Sequence, residues 1–161
     1  MNLREVKKKA REKMKGYCRV CKVCDGVACA GEVPGMGGVG TGSSFTANVE
    51  ALANIKLNLR TLHDAKEPDI STNILGVKLS MPILAAPITG SEYNMGGAVP
   101  EADFIRMVIS GSKKVGTVGM CGDGGNPVFY DSGLEAIKEE EGHGIAIIKP
   151  RENSVVLEMA K

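Results

Sequence analysis

The sequence is poor in aromatic side chains. Its 161 residues include no Trp, three Tyr and three Phe, too few for the stacking surface on which proteins bind single-stranded nucleic acid. No apolar run approaches the roughly 18 residues that a membrane span needs. No hydrophobic region follows the basic N-terminus, as it would in a secretory signal. These absences make nucleic acid and membranes unexpected partners and predict a cytoplasmic protein.

Histidine is equally scarce. The two histidines, His63 and His143, lie in a loop and at a helix end, and neither belongs to a recognisable catalytic motif. Neither is therefore assigned as a general base, and the catalytic residues remain unknown from the sequence.

Charge is distributed unevenly along a chain whose net charge is only +1. Residues 1–22 contain nine Lys or Arg and two Glu, and the remainder is net acidic. Leu3, Val6, Ala10 and Met14 follow one another at helical spacing, which predicts a helix over residues 2–15. Its basic face is expected to be solvated or to dock on an acidic surface, and an anionic partner is the alternative.

Four of the five cysteines form a C-x₂-C-x₂-C-x₄-C cluster made of Cys18, Cys21, Cys24 and Cys29. Thiolates at this spacing can converge on zinc or on an iron–sulfur cluster, and neighbouring Lys and Arg are expected to lower the thiol pKa values. Redox-active thiols and unligated cysteines are the alternatives. Together with the glycines that follow, the cluster defines an N-terminal region over residues 1–42.

The rest of the chain alternates between short apolar strands and helices. A helix is expected from Ser43 or Ser44, either a short strand or an extended segment at 55–62, and a hairpin with Gly76 at its turn. Strands are predicted at 83–88, 115–120 and 144–149, with helices at 101–111 and 133–141 between them and a further helix from 153. Strand starts about thirty residues apart are typical of βαβ units with a parallel sheet.

The stretch "ILGVKLSMPILAAPITG", residues 74–90, carries a family resemblance. It resembles the first barrel strand of the FMN-dependent α-hydroxy-acid dehydrogenases and oxidases, such as glycolate oxidase and flavin lactate dehydrogenase. The resemblance extends weakly over residues 37–150. It implies an α/β fold in which residues 43–161 form an incomplete (β/α)₈ TIM barrel, its first three βα units, preceded by the helical and cysteine-rich extension. It also implies FMN as cofactor and a small 2-hydroxy acid as substrate.

The resemblance implies a flavin site at the carboxyl ends of these strands. Pro87 cannot donate to a strand ladder, and the turn around it would hold the flavin ring through backbone atoms. Cys121 stands where the family usually has Ser or Thr, and Lys149 would place a cation beside the N1–O2 edge of the ring. The alternatives are a proline that merely closes the strand at Pro87, a small buried hydrophobic side chain at Cys121 and a solvated charge at Lys149. The expected cofactor-binding residues are Ala86, Pro87, Ile88, Thr89, Cys121 and Lys149.

Other interpretations stay open at this point. The cysteine cluster and the basic arm could constitute a metal-dependent binding or regulatory module, with the α/β body as scaffold. A different FMN barrel, such as a type-2 isopentenyl isomerase or a glutamate-synthase-like domain, is the other alternative. The His–Gly–Gly–Arg pattern of the hydroxy-acid enzymes is absent, which predicts that the chain is the front part of a longer protein. Open sheet edges would then favour a homo-oligomer.

Overall fold

The structure, a computed structural model, describes residues 2–32 and 38–161. Part of the predicted cysteine- and glycine-rich region, residues 33–37, lies outside the described residues. The chain is mixed α/β, as expected, and its contacts divide it into two units: Met1–Glu67 with Ser91–Ala98, and Pro68–Gly90 with Val99–Lys161. None of the described helices is both long and apolar enough to cross a membrane.

The first unit is helical. Its described elements are α1 (Leu3–Lys13), a 3₁₀ turn (Val27–Cys29), α2 (Ser43–Asn54) and the single-turn α3 (Ser91–Asn94). Asn2 and Glu5 form a reciprocal capping box at the start of α1, with two hydrogen bonds of 3.0 Å. The α2 helix begins after Gly42, which takes a left-handed conformation, so neither serine provides a side-chain cap.

Residues 55–62 do not form the strand that their alternating pattern favoured. The segment is exposed, with Leu57 at 85% and Leu59 at 82% relative exposure. Apolar alternation specifies a strand only where a partner and a buried face exist, and the described chain offers this segment neither.

The second unit begins with the predicted hairpin. Strands β1 (Thr72–Ile74) and β2 (Val77–Leu79) pair antiparallel. Leu75 and Gly76 both have positive φ, as a two-residue hairpin turn requires.

Three short parallel strands follow. They are β3 (Leu84–Ala85), β4 (Val118–Cys121) and β5 (Ile145–Ala146), lying side by side in the order of the chain. Helices α4 (Glu101–Lys114) and α5 (Pro127–Glu139) connect them, and α6 (Asn153–Met159) comes last. Within the described ranges the sheets contain two and three strands, and neither closes into a barrel.

The core lies between the parallel sheet and its two helices. Ile105 and Ile109 of α4 pack with Cys121 of β4 and Ala136 of α5. Gly133 allows α5 to approach β4, because a Cβ atom there would lie 2.4 Å from the sulfur of Cys121. This packing holds the strands in parallel, so their carboxyl ends share one edge of the sheet.

Candidate functional site

A cavity of about 390 Å³ opens at that edge. Its lining comes from the residues that follow each of the three strands, namely Pro87, Ile88, Thr89, Gly122, Asp123, Ile147 and Lys149. Ligands of parallel α/β proteins bind at the carboxyl ends of the strands, and small-molecule sites usually measure about 300–1,000 Å³. The cavity therefore has the position and the size of a ligand site.

A larger cavity of about 560 Å³ lies beside α5 and α6. Its walls include Tyr130, Arg151 and Met159, and the Tyr130 hydroxyl donates to the Met159 carbonyl at 3.0 Å. Because the smaller cavity is lined by residues that follow all three parallel strands, and the larger one has none that follows β3, we take the smaller cavity as the candidate site. Asp123 lines both cavities.

The turn after β3 forms the first wall of the candidate site. The strand ends at Ala85, so Pro87, Ile88 and Thr89 lie beyond the paired residues. The amide of Gly90 donates to the buried carboxylate of Glu101 at 2.9 Å, which ties the turn to the start of α4. Ala86 is exposed and is not part of the lining.

Gly122 forms the second wall and approaches the first closely. A Cβ atom at this position would lie 3.2 Å from Cγ2 of Thr89 and 3.7 Å from Cβ of Pro87. The absence of a side chain therefore leaves room where the ends of β3 and β4 meet.

Asp123 is a buried carboxylate of the site that accepts several hydrogen bonds. Its side chain is only 2% exposed, yet it accepts hydrogen bonds from the Lys149 amide at 3.2 Å and from Nη2 of Arg151 at 2.6 Å to both oxygens. Burial is the largest single influence and opposes ionisation. The hydrogen bonds from Lys149 and Arg151 and the charge of Arg151 together outweigh it, so the pKa of Asp123 lies below its ordinary value.

Among the described residues that line the cavity, Lys149 is the only cation. Its backbone is fixed through Asp123, and the residue as a whole is exposed. No carboxylate in the described part of the chain forms an ion pair with its ammonium group, whereas Arg151 is engaged with Asp123.

Cys121 is not brought to the cavity. Its side chain has no exposed surface and lies in the core, where burial raises the pKa of the thiol. Successive side chains of a strand point to opposite faces, and the face that Cys121 occupies belongs to α4 and α5. Its carbonyl accepts from the Ile147 amide at 3.0 Å, as a sheet residue does.

Four of the six predicted cofactor residues thus line one cavity: Pro87, Ile88, Thr89 and Lys149. The residues that sequence reasoning did not select are Gly122, Asp123 and Ile147. The available signal was "CGDGG" after β4, where glycine and a carboxylate directly follow a buried strand, but the Asp123–Arg151 pairing spans 28 residues and leaves no local pattern.

The four clustered cysteines lie in the first unit. Cys21 and Cys24 are exposed, while Cys18 and Cys29 are partly buried. The Val20 amide donates to the sulfur of Cys18 at 3.3 Å. Arg19 contacts both carboxylate oxygens of Glu32 at 2.7 Å and also donates to the Ala28 carbonyl, which ties the two ends of the cysteine segment together.

The electrostatics of the cluster differ from the expectation. Burial, and then the charges of Cys24, Cys18 and Cys21, raise the pKa of the Cys29 thiol, and Arg19 opposes this only in part. Within residues 2–32 and 38–161, no three or more Cys, His, Asp or Glu side chains are grouped so that they could hold a metal ion. The expected zinc or iron–sulfur centre therefore receives no support from this arrangement.

The fold and the cavity together describe an α/β protein with a ligand site at the carboxyl edge of a parallel sheet. Residues 35–119 match the sequence profile of the FMN-dependent dehydrogenases, which is more than half of the chain. The chain belongs to this family of flavin oxidoreductases, and the resemblance read from the sequence is confirmed. No curated protein and no solved structure matches the chain.

Proposed function

We propose that the chain binds FMN in the candidate cavity and provides part of an FMN-dependent oxidoreductase. The observation that carries this proposal is the convergence of the Pro87 turn, which lies inside the family match, with the ends of two further parallel strands. FMN fits the residues present: Pro87 and Ile88 supply an apolar wall, Gly122 leaves space, and Lys149 supplies a cation.

The proposed fold is an incomplete (β/α)₈ barrel that consists of its first three βα units. The consecutive order of β3, β4 and β5, with α4 between the first two strands in the chain and α5 between the last two, is the repeating arrangement of such barrels. In this proposal residues 43–161 are the barrel portion and residues 1–42 an added N-terminal region. We further propose a cytoplasmic protein whose copies associate, because sheets with open edges favour pairing with other chains.

The proposed reaction is the oxidation of a small 2-hydroxy acid such as lactate or glycolate. FMN, when bound, supplies the acceptor for the hydride from the α-carbon. The residues of this chain would bind and orient the ring: the backbone of residues 87–89 would hold it, and the Lys149 ammonium would stabilise the negative charge that the ring gains on reduction. No base is assigned among the described residues. His143 lies with Nε2 2.8 Å from the Thr117 carbonyl, a contact within the fold and outside the cavity.

A steric variant of the turn tests FMN binding. We expect Thr89→Trp to fill the cavity and weaken FMN binding at least tenfold without unfolding the protein, because the side chain lies at a cavity wall. Thr61→Trp is the matched control, since Thr61 is exposed in the other unit. Titration of FMN by flavin fluorescence measures both, and circular dichroism checks the fold. Equal affinities of the two variants would show that the turn is not the flavin site.

We also propose that the cysteine segment binds zinc or an iron–sulfur cluster. The support is the ligand spacing and the amide of Val20 that donates to the sulfur of Cys18, since backbone N–H groups stabilise thiolate ligands. Because the described thiols do not surround one metal position, binding would require this segment to close around the ion.

A further inference from the structure

The charges around the candidate site are arranged in two layers. Asp123 and Lys149 are the two residues with charged side chains in the lining that the structure describes. Asp123 lies between the two cavities, Lys149 lines only the candidate site, and Arg151 lines only the neighbouring cavity. The wall of the candidate site therefore carries a carboxylate, Asp123, whose counterion Arg151 lies on the side of the neighbouring cavity.

We propose that Asp123 is a positioning residue that, through its ion pair with Arg151, sets the electrostatic potential at the proposed FMN site. The pair neutralises the wall and leaves the ammonium group of Lys149 as the unbalanced charge that faces the ring. This inference rests on the proposed FMN function and assigns to two residues a role in tuning its reduction potential.

The geometry supports a role for the pair beyond packing. The Asp123 side chain is 2% exposed and the Arg151 side chain 34%, so solvent screens their charges much less than it screens a surface pair. Removing Arg151 would leave the buried Asp123 carboxylate without compensation, and removing Asp123 would leave the partly exposed guanidinium of Arg151 unpaired. Each removal would change the net charge at the cavity wall by one unit, and the two changes have opposite signs.

The same carboxylate fixes the segment that carries Lys149. One oxygen accepts the Lys149 amide at 3.2 Å while both oxygens contact Arg151. Arg151 also donates to the Gly124 carbonyl at 3.2 Å, which joins the segments after β4 and β5. An amide oxygen can accept the Lys149 bond, so Asp123→Asn removes the charge and keeps the positioning contact.

The experiment compares reduction potentials of FMN bound to the parent protein, Asp123→Asn, Arg151→Gln and the double variant at pH 8. We expect Asp123→Asn to raise the affinity ratio of reduced over oxidised FMN about tenfold, because Arg151 loses its counterion. A tenfold change corresponds to about 30 mV for a two-electron couple. We expect Arg151→Gln to lower the ratio by a similar factor, and the double variant to return close to the parent.

A purely structural role would not produce shifts of opposite sign. If both single variants bind FMN and shift its potential in the same direction, or not at all, the inference is wrong. Arg151→Lys, which keeps the charge, should retain the parent potential, and it carries the test together with Arg151→Gln if Asp123→Asn does not fold. If the parent protein binds no FMN, the proposed function itself fails and the inference falls with it.

Discussion

A single methyl group at Gly122 should separate the proposed flavin site from the fold around it. In Gly122→Ala the new Cβ would lie 3.2 Å from Cγ2 of Thr89, about 0.3 Å inside the usual 3.5–4.0 Å contact. Gly122 does not have a positive φ, so the backbone accepts alanine without strain. Thr89 must shift by a few tenths of an ångström, which we expect to cost about 1 kcal/mol of unfolding free energy, at the low end for overpacking.

The effect on FMN should be larger than the effect on stability. The methyl group and the displaced Thr89 would both occupy the meeting point of the β3 and β4 ends, which is part of the cavity wall. We expect FMN affinity to fall by about 10- to 100-fold, or about 1.4–2.8 kcal/mol.

Gly125→Ala is the matched control for this variant. It makes the same chemical change in the same loop, but a Cβ atom at Gly125 has no neighbour within 4 Å and does not line the candidate cavity. Fluorescence titration of FMN and urea unfolding of both variants measure the two effects. If Gly122→Ala binds FMN as tightly as Gly125→Ala, the cavity between these strand ends is not the flavin site.

Three further predictions follow from the charges and the thiols. Lys149→Met should keep FMN but lower its reduction potential. A unit charge at roughly 4 Å contributes about 4 kcal/mol at an effective dielectric of 20 and about 1 kcal/mol in water, and the exposure of Lys149 favours the lower figure. An unchanged potential would remove the assignment of Lys149 and leave the rest of the proposed site standing. The depressed pKa of Asp123 predicts that its pairing contributes stability above the unfolded-state pKa of about 3.9 and that this contribution disappears as the pH falls through the lower folded-state value. The loss of unfolding free energy in Asp123→Asn should therefore be largest near pH 7 and smaller at pH 3, and a loss independent of pH would contradict the ion pair. Cys21→Ser should abolish near-stoichiometric zinc or iron in protein prepared without oxygen, whereas Cys121→Ala, which alters a buried core thiol, should retain it; finding no metal and four titratable thiols in the parent would end the metal proposal.

The order of elements could be predicted from the sequence because short apolar strands recur at regular intervals. All three parallel strands and both intervening helices exist, and α4 starts at residue 101 as expected. The strands are shorter than predicted, since pairing stops where Pro87 and the loops after β4 and β5 begin. A run of apolar residues shows which segment is buried but not how much of it finds a partner.

The face of α4 was harder to predict. Phe104, Met107 and Val108 are apolar residues of the helix, yet Ile105 and Ile109 are the buried ones and Met107 is 54% exposed. The reason lies on β4, where Gly119 lets the α4 backbone approach so closely that a Cβ atom would be 2.8 Å from the Val108 carbonyl. Because the α4 backbone lies against Gly119, the side chains beside that contact, Ile105 and Ile109, point into the core. The buried face of the helix is therefore set by a tertiary contact.

The site divides along the same line between local and long-range information. The Pro87 turn was predictable because proline interrupts a ladder locally. The burial of Cys121 in the core was not predictable, because a shift of one residue along a strand decides whether a side chain at its end points into the core or into the cavity. Asp123 shows most clearly what a sequence does not reveal. Its role depends on pairing with Arg151, which follows only after another helix and strand.

The topology of the sheet determines where the cavity lies, whereas the charged side chains determine the electrostatic potential inside it. Three parallel strands in consecutive order bring their carboxyl ends to one edge, so a cavity there follows from the βαβ connections themselves, whatever side chains line it. Redox chemistry requires a defined electrostatic potential in that cavity, and the turn after β3 supplies backbone, apolar groups and the Thr89 hydroxyl but no charged side chain. The charges come from the later strand ends, Asp123 after β4 and Lys149 after β5, with Arg151 neutralising the first from the opposite side. The family match ends at Gly119 and contains none of these three residues. In this proposal, the Pro87 turn inside the family match indicates where FMN would bind, and the reduction potential of the bound cofactor would depend on three residues that lie beyond the match.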